Sequence, residues 1–107
     1  MREIDQLFQT FLSIKSAEGR ADSTLKQYRD NYGYFSTFLA DNTGRAIDKK
    51  LFREYVLYMR EELHLAPSTI NTRLKTLRVM FRCLYDEEII NAYPLKTFLT
   101  PVKRSTS

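Results

Sequence analysis

Pro67-Ser68-Thr69-Ile70-Asn71-Thr72-Arg73-Leu74-Lys75-Thr76-Leu77-Arg78-Val79-Met80-Phe81-Arg82-Cys83-Leu84 decides the fold of this 107-residue chain. Ile70, Leu74, Leu77, Phe81 and Leu84 recur at alternating steps of four and three, which puts them on one face of an α-helix. Pro67 suits the first helical position, where the missing N–H costs nothing. The spacing predicts a helix over about residues 67–87 with one apolar line, and a single such line needs other helices to cover it.

Three more segments upstream have the same period. Residues 3–18 place Ile4, Leu7, Phe8, Phe11 and Leu12 on one face, with Glu3 and Asp5 in the first turn, where the helix dipole favours acids, and Gly19 as the stop. Residues 22–41 align Leu25, Tyr28, Tyr32, Phe35 and Leu39, with Phe38 beside them and Asp22 or Ser23 as the cap. Gly33 in the middle of that helix predicts a close helix crossing or a slight bend, and Asn42-Thr43-Gly44 ends it. Residues 48–64 begin at Asp48, with Ile47 and Phe52 spaced as a hydrophobic staple, and continue through Leu51, Tyr55, Val56, Met59 and Leu63 to His64 in the last turn. After Asn91 periodicity is lost, Pro94 and Pro101 bracket a tail, and no strand-like alternation competes anywhere. The fold class is all-α: four helices and a short C-terminal tail.

Composition agrees with one folded domain: apolar residues make up 43% and aromatics 13%, with only three Gly and three Pro. A lone Cys83 rules out an internal disulfide framework and fits a reducing compartment. Apolar runs all fall short of the ~20 residues a membrane span needs, and no signal-peptide core follows Met1. The expectation is an intracellular protein with no membrane partner.

Charge is unevenly placed. Seventeen basic against thirteen acidic residues give +4, yet residues 1–64 carry ten of each. Residues 65–85 carry Arg73, Lys75, Arg78 and Arg82 without an acid, and after Asp86, Glu87 and Glu88 come only Lys96, Lys103 and Arg104. On the fourth helix Asn71, Lys75, Arg78 and Arg82 fall on one stripe, and Ser68, Thr72 and Thr76 on its neighbour. Such a surface suits a polyanion or a solvated helix face. Of these, a DNA groove fits best, with Arg and Lys reaching phosphates and Asn and Thr reaching base edges or phosphates. Thr24, Lys26 and Gln27 near the start of the second helix offer a smaller polar parallel. Ala21-Asp22-Ser23-Thr24-Leu25 is echoed by Ala66-Pro67-Ser68-Thr69-Ile70. Two such helix starts side by side would present hydroxyls and N–H groups to phosphate, although two capping sequences can also match by chance.

Other reactive side chains read blandly. His64 lacks a partner at ligand spacing and no metal site is expected; near a helix C-terminus it favours the dipole. Cys83 reads as a small buried or half-buried hydrophobe. The aromatic stripes read as core, with exposed Tyr34 the one candidate for stacking on a base. Glu61, Glu62, Asp86, Glu87 and Glu88 read as solvated helix ends.

Ser23-Thr24-Leu25…Tyr28…Phe35, Pro67-Ser68-Thr69-Ile70-Asn71…Leu74…Leu77-Arg78…Phe81…Leu84, Glu88-Ile89-Ile90-Asn91 followed by Pro94, and Pro101-Val102-Lys103 together resemble the tyrosine recombinases, or phage-type integrases. The resemblance is to their N-terminal core-binding domain and covers about residues 3–104. One departure is Asn91-Ala92-Tyr93-Pro94, where the family usually has Asn directly before Pro. The resemblance implies a SAM-like orthogonal four-helix bundle over residues 1–92, with 93–107 as the linker toward a catalytic domain that this chain lacks. It implies half of a C-shaped clamp on the double-stranded DNA of a recombination half-site, held through the N-terminal parts of the second and fourth helices.

Carried over by position, Thr24, Lys26, Gln27, Ser68, Asn71, Thr72, Lys75 and Thr76 are the expected DNA contacts, with Lys103 and Arg104 where the linker tracks the backbone. Arg78 and Arg82 join them on the stripe argument. The family's strand transfer uses a Tyr nucleophile with two Arg, a Lys and a His-x-x-Arg pair. The only His here, His64, is followed by Leu65-Ala66-Pro67. The chain is therefore expected to carry no catalytic residues and no cofactor, and no arm-type domain ahead of its first helix. Expected partners are duplex DNA, the parent's catalytic domain and other recombinase protomers, in the cytoplasm of a bacterium or phage host at the nucleoid. A helical protein–protein adaptor is the alternative, since SAM-like bundles serve that role too. A third reading, a small autonomous regulator, predicts a gene that stops near Ser107.

Overall fold

A computed structural model describes residues 3–44 and 46–90. Four helices make up the described chain: α1 (Glu3–Ala17), α2 (Asp22–Ala40), α3 (Lys49–Leu57) and α4 (Pro67–Asp86). A π-helical turn, Tyr58–Glu62, continues α3. No strand occurs among the described residues. The fold is all-α, as the periodicity predicts.

Each apolar line meets the others in one core, and aromatic rings make its centre. Phe8 stacks on Tyr32 with ring centroids 4.1 Å apart, joining α1 to α2. Phe35, fully buried, lies 5.4 Å from Phe52 and 5.0 Å from Tyr55 of α3. Phe52 in turn meets Phe81 of α4 edge-on at 5.9 Å. Ile70, Leu74, Leu77, Phe81 and Leu84 are all buried. Leu7, Leu12, Tyr28 and Val56 are half-buried at the margins of the same core, and Leu25 is half-buried outside it. The Tyr32 hydroxyl donates to the Asp5 carboxylate, a polar strap across α1 and α2.

Several helix ends follow their sequence signals. Gly19, at φ +86°, closes α1 with Gly19 N–H on Ser16 O and Arg20 N–H on Lys15 O, the paired bonds of a left-handed C-terminal cap. Asp48 Oδ1 accepts from Leu51 N–H at 2.9 Å, and Ile47 and Phe52 on either side of the cap both pack into the core.

Other expectations are corrected. Neither Asp22 nor Ser23 caps α2: the cap residue is Ala21, which has no side-chain oxygen to offer. Gly33 marks no close crossing, because a β-carbon built there meets nothing within 4 Å. The third helix does not stay α to residue 64. Leu63 N–H reaches back to Tyr58 O, and Leu65 N–H to Met59 O. His64 takes a left-handed turn at φ +54°. Leu65, not Leu63, then packs against the core, and Leu63 is left 42% exposed.

Candidate nucleic-acid interface

The helix pair α2 and α4 forms the most extensive helix–helix contact of the bundle. Its seam is marked by a buried hydrogen bond, Asn31 Nδ2 donating to Thr76 Oγ1 at 2.9 Å. Three residues further along α2, the Tyr34 ring lies under the Arg73 guanidinium at 3.5 Å, and Arg73 is three residues earlier on α4 than Thr76. Advancing on one helix means retreating on the other, so α2 and α4 cross with opposed directions. The helix starts at Ala21 and Ala66 therefore lie at opposite ends of the crossing, and the side-by-side arrangement suggested by their similar sequences does not form.

Just outward of the seam on α2 runs a groove of about 520 Å³, lined by Ser23, Thr24, Lys26, Gln27 and Asp30 together with Asn31 and Tyr34. All three residues expected from this helix, Thr24, Lys26 and Gln27, line it. Lys26 and Gln27 are exposed and Thr24 is half-buried. Lys26 Nζ holds Asp30 at 3.0 Å, an exposed pair of little energetic weight that an incoming phosphate can compete with.

On α4, Ser68, Asn71, Thr72 and Lys75 are exposed, with Thr72 Oγ1 donating to Ser68 O at 2.9 Å. Thr76 is corrected: it is 3% exposed and committed to Asn31. The reason is rotational. A step of four residues advances about 40° beyond a full turn, so Ser68, Thr72 and Thr76 drift steadily toward α2 and the third crosses into the seam. The same rotation grades the basic stripe away from the seam. Counted from Thr76 at about 100° per residue, Thr72, Ser68 and Lys75 lie about 40°, 80° and 100° round α4 on the side away from the core, and Arg82, Asn71 and Arg78 about 120°, 140° and 160°. Arg78 is half-buried, and Arg82 Nε pairs with Asp86 at 3.3 Å. Lys103, Arg104 and the expected linker 93–107 lie outside the described residues.

Three residues of this surface escape the sequence pattern: Asn31, Tyr34 in its pairing, and Arg73. The available signal was Arg73's position on the buried side of α4, between Ile70 and Leu77. A guanidinium there must find a ring or an anion.

Two groups have altered acidity. Burial pushes the Tyr55 hydroxyl well above its ordinary value near 10, only partly offset by Arg73 beside it. The Tyr55 oxygen makes no hydrogen bond of ordinary geometry among the described residues. Burial likewise raises the Cys83 thiol, against the opposing charge of Lys15, so both groups stay protonated at neutral pH. Cys83 is buried, as expected of a small hydrophobe. Among the described residues no group of three or more His, Cys, Asp and Glu can hold a metal ion, and no helix is long and apolar enough to cross a membrane.

The fold and this face define a class: a small all-α domain with one polar, hydroxyl-bearing face over a two-helix seam. The chain matches the phage integrase SAM-like domain over residues 5–100, and it belongs to that family. No curated protein and no solved structure matches it. The family match covers the SAM-like domain alone and includes no catalytic domain.

Proposed function

We propose that this chain is the DNA-binding core-binding domain of a site-specific tyrosine recombinase, gripping a recombination half-site across the outer face of α2 and α4. The observation that carries the reading is the opposed crossing of these helices beside a groove lined by Thr24, Lys26 and Gln27 of α2, with Ser68, Thr72 and Lys75 exposed on α4. Thr24 lies seven residues before Asn31, and Ser68 eight before Thr76. At 1.5 Å per residue the two sets extend about 10 Å and about 12 Å from the seam, so the face spans roughly 20 Å. That length covers about six base pairs at 3.4 Å each, a footprint suited to one half of a clamp. Lys26 and Lys75 suit phosphates, and the hydroxyl and amide groups of Thr24, Gln27, Ser68 and Thr72 suit base edges or phosphates. The catalytic domain and further protomers of the parent are the other partners.

One acidic patch lies away from this face. Glu54, Glu61 and Glu62 gather with exposed Leu57 around Phe38 and Tyr58 at the end of α3, a surface that repels a phosphate backbone.

The test is an NMR titration of the labelled chain with a short duplex at low and then high salt. Salt-sensitive shifts clustered on residues 23–27 and 68–75 are expected. Shifts spread over every basic residue would reduce the reading to nonspecific charge. An unmoved spectrum at low salt would overturn it and leave the protein–protein adaptor.

A further inference from the structure

Arg73 differs from Lys26 and Arg82 of the same two helices. Lys26 and Arg82 each hold a carboxylate four residues away, Asp30 and Asp86. Arg73 is half-buried and has no carboxylate partner among the described residues; its guanidinium lies 3.5 Å from the centroid of the Tyr34 ring. Beside it lies the buried Tyr55 hydroxyl, which Arg73 approaches as a charge and a loosely placed donor.

A partly desolvated cation lacking a counter-charge is costly, and an anion that reaches it returns that cost. Stacking engages only the flat face of a guanidinium. Its N–H donors point outward in the plane of the group, in a fork that matches two oxygens of a phosphate. The ring also fixes the side chain before a ligand arrives, so less rotamer entropy is lost on binding. Tyr34, 46% exposed, belongs to the same groove as Thr24, Lys26 and Gln27, and Arg73 lies one residue from Thr72. The pair lies three residues beyond the Asn31–Thr76 bond, about 4.5 Å along the helices and level with the stretch of α4 between Thr72 and Lys75.

We propose that Arg73, held flat on Tyr34 beside the α2–α4 seam, is the seat for one DNA backbone phosphate at the level of Thr72 and Lys75. Arg73 is the binding residue and Tyr34 the positioning residue. The proposal rests on the DNA-binding reading above, and Lys75→Gln separates the two.

The test measures affinity of the full chain for a short duplex across a salt series. Arg73→Met is expected to weaken binding about five- to tenfold. It should also flatten the slope of log K on log salt by about 0.9, the loss of one neutralised phosphate. Arg73→Lys keeps the charge and therefore the slope, and it loses affinity because the fork is gone. Tyr34→Leu weakens binding and Tyr34→Phe, which restores the ring, rescues it. A purely structural Arg73 would alter melting temperature and leave the salt slope alone. Far-UV circular dichroism monitors folding, and Arg73→Lys carries the test if Arg73→Met is unfolded.

In parallel, the Arg73 Nε–H resonance should shift with duplex at concentrations where inorganic phosphate leaves it in place. Equal response to inorganic phosphate would overturn a seat for DNA. Parental affinity and slope in Arg73→Met, alongside weakened Lys75→Gln, would overturn the seat and leave DNA binding standing. A parental chain that fails to bind duplex removes both.

Discussion

Gly33 stands in the middle of α2 with open space where a β-carbon would go, on a backbone that is already helical. Nothing in the fold asks for glycine there, so its extra freedom in the unfolded chain is a plain cost. Gly33→Ala is expected to raise stability by about 0.5–1 kcal/mol, read as a higher denaturant midpoint at unchanged slope. Tyr55 presents the converse case, a ring the core requires bearing a hydroxyl it does not satisfy. Tyr55→Phe should therefore be neutral or slightly stabilising at pH 7. Its pH dependence follows from the raised acidity constant. The folded state holds the phenolic proton more tightly than the unfolded chain, so this contribution is fully present below about pH 10 and is lost as pH rises beyond it. Urea midpoints measured from pH 8 to 11 should fall more steeply for the parent than for Tyr55→Phe; identical curves would contradict the burial argument.

Helix ends show how much an element owes to one side chain. The short α3 begins on the bond from Leu51 N–H to Asp48 Oδ1, whereas α2 and α4 begin at Ala21 and Ala66 with no side-chain cap. Asp48→Ala should cost about 1 kcal/mol, and Ala21→Ser should return a similar amount, both measurable by thermal melting. At the other end of α4, Glu88 occupies the left-handed position at φ +61° while Glu88 N–H and Ile89 N–H bond back to Tyr85 O and Leu84 O. Glycine is the residue suited to that position, and Glu88→Gly is expected to stabilise by about 1 kcal/mol. The four helices and the α4 core line were legible because every buried residue there repeats at the helical period, a signal spread over many positions. The exceptions each rest on a single local event. The π turn that buries Leu65 in place of Leu63 has no periodic signature. The Asn31–Thr76 bond joins residues 45 positions apart, and each reads alone as a surface polar. Of the candidate face, polarity and helix assignment were visible in the sequence; the opposed crossing was not, because the echo between residues 21–25 and 66–70 describes two helix starts and says nothing of how they pack.

At the scale of the molecule the net charge of +4 is too small to make a polyanion binder by itself, so its distribution must decide. Lys26, Arg73 and Lys75 belong to the α2–α4 side, while Glu54, Glu61 and Glu62 gather at the end of α3. If binding runs through that side, neutralising roughly three phosphates with those cations, log K should fall with log salt at a slope of about −3. Removing the distant acids with Glu61→Gln and Glu62→Gln should then raise affinity slightly at low salt, where the Debye length reaches across the domain, and leave the slope unchanged because no phosphate contact is gained. Lys75→Gln should flatten it by about 0.9. A slope near zero in the parent, with binding that tracks Leu57 or Leu63 instead, would assign the partner surface to the apolar and acidic end of α3 and make the molecule an adaptor. Fluorescence anisotropy with one labelled duplex at five salt concentrations separates these outcomes, because the slope counts phosphates whatever the sequence of the DNA.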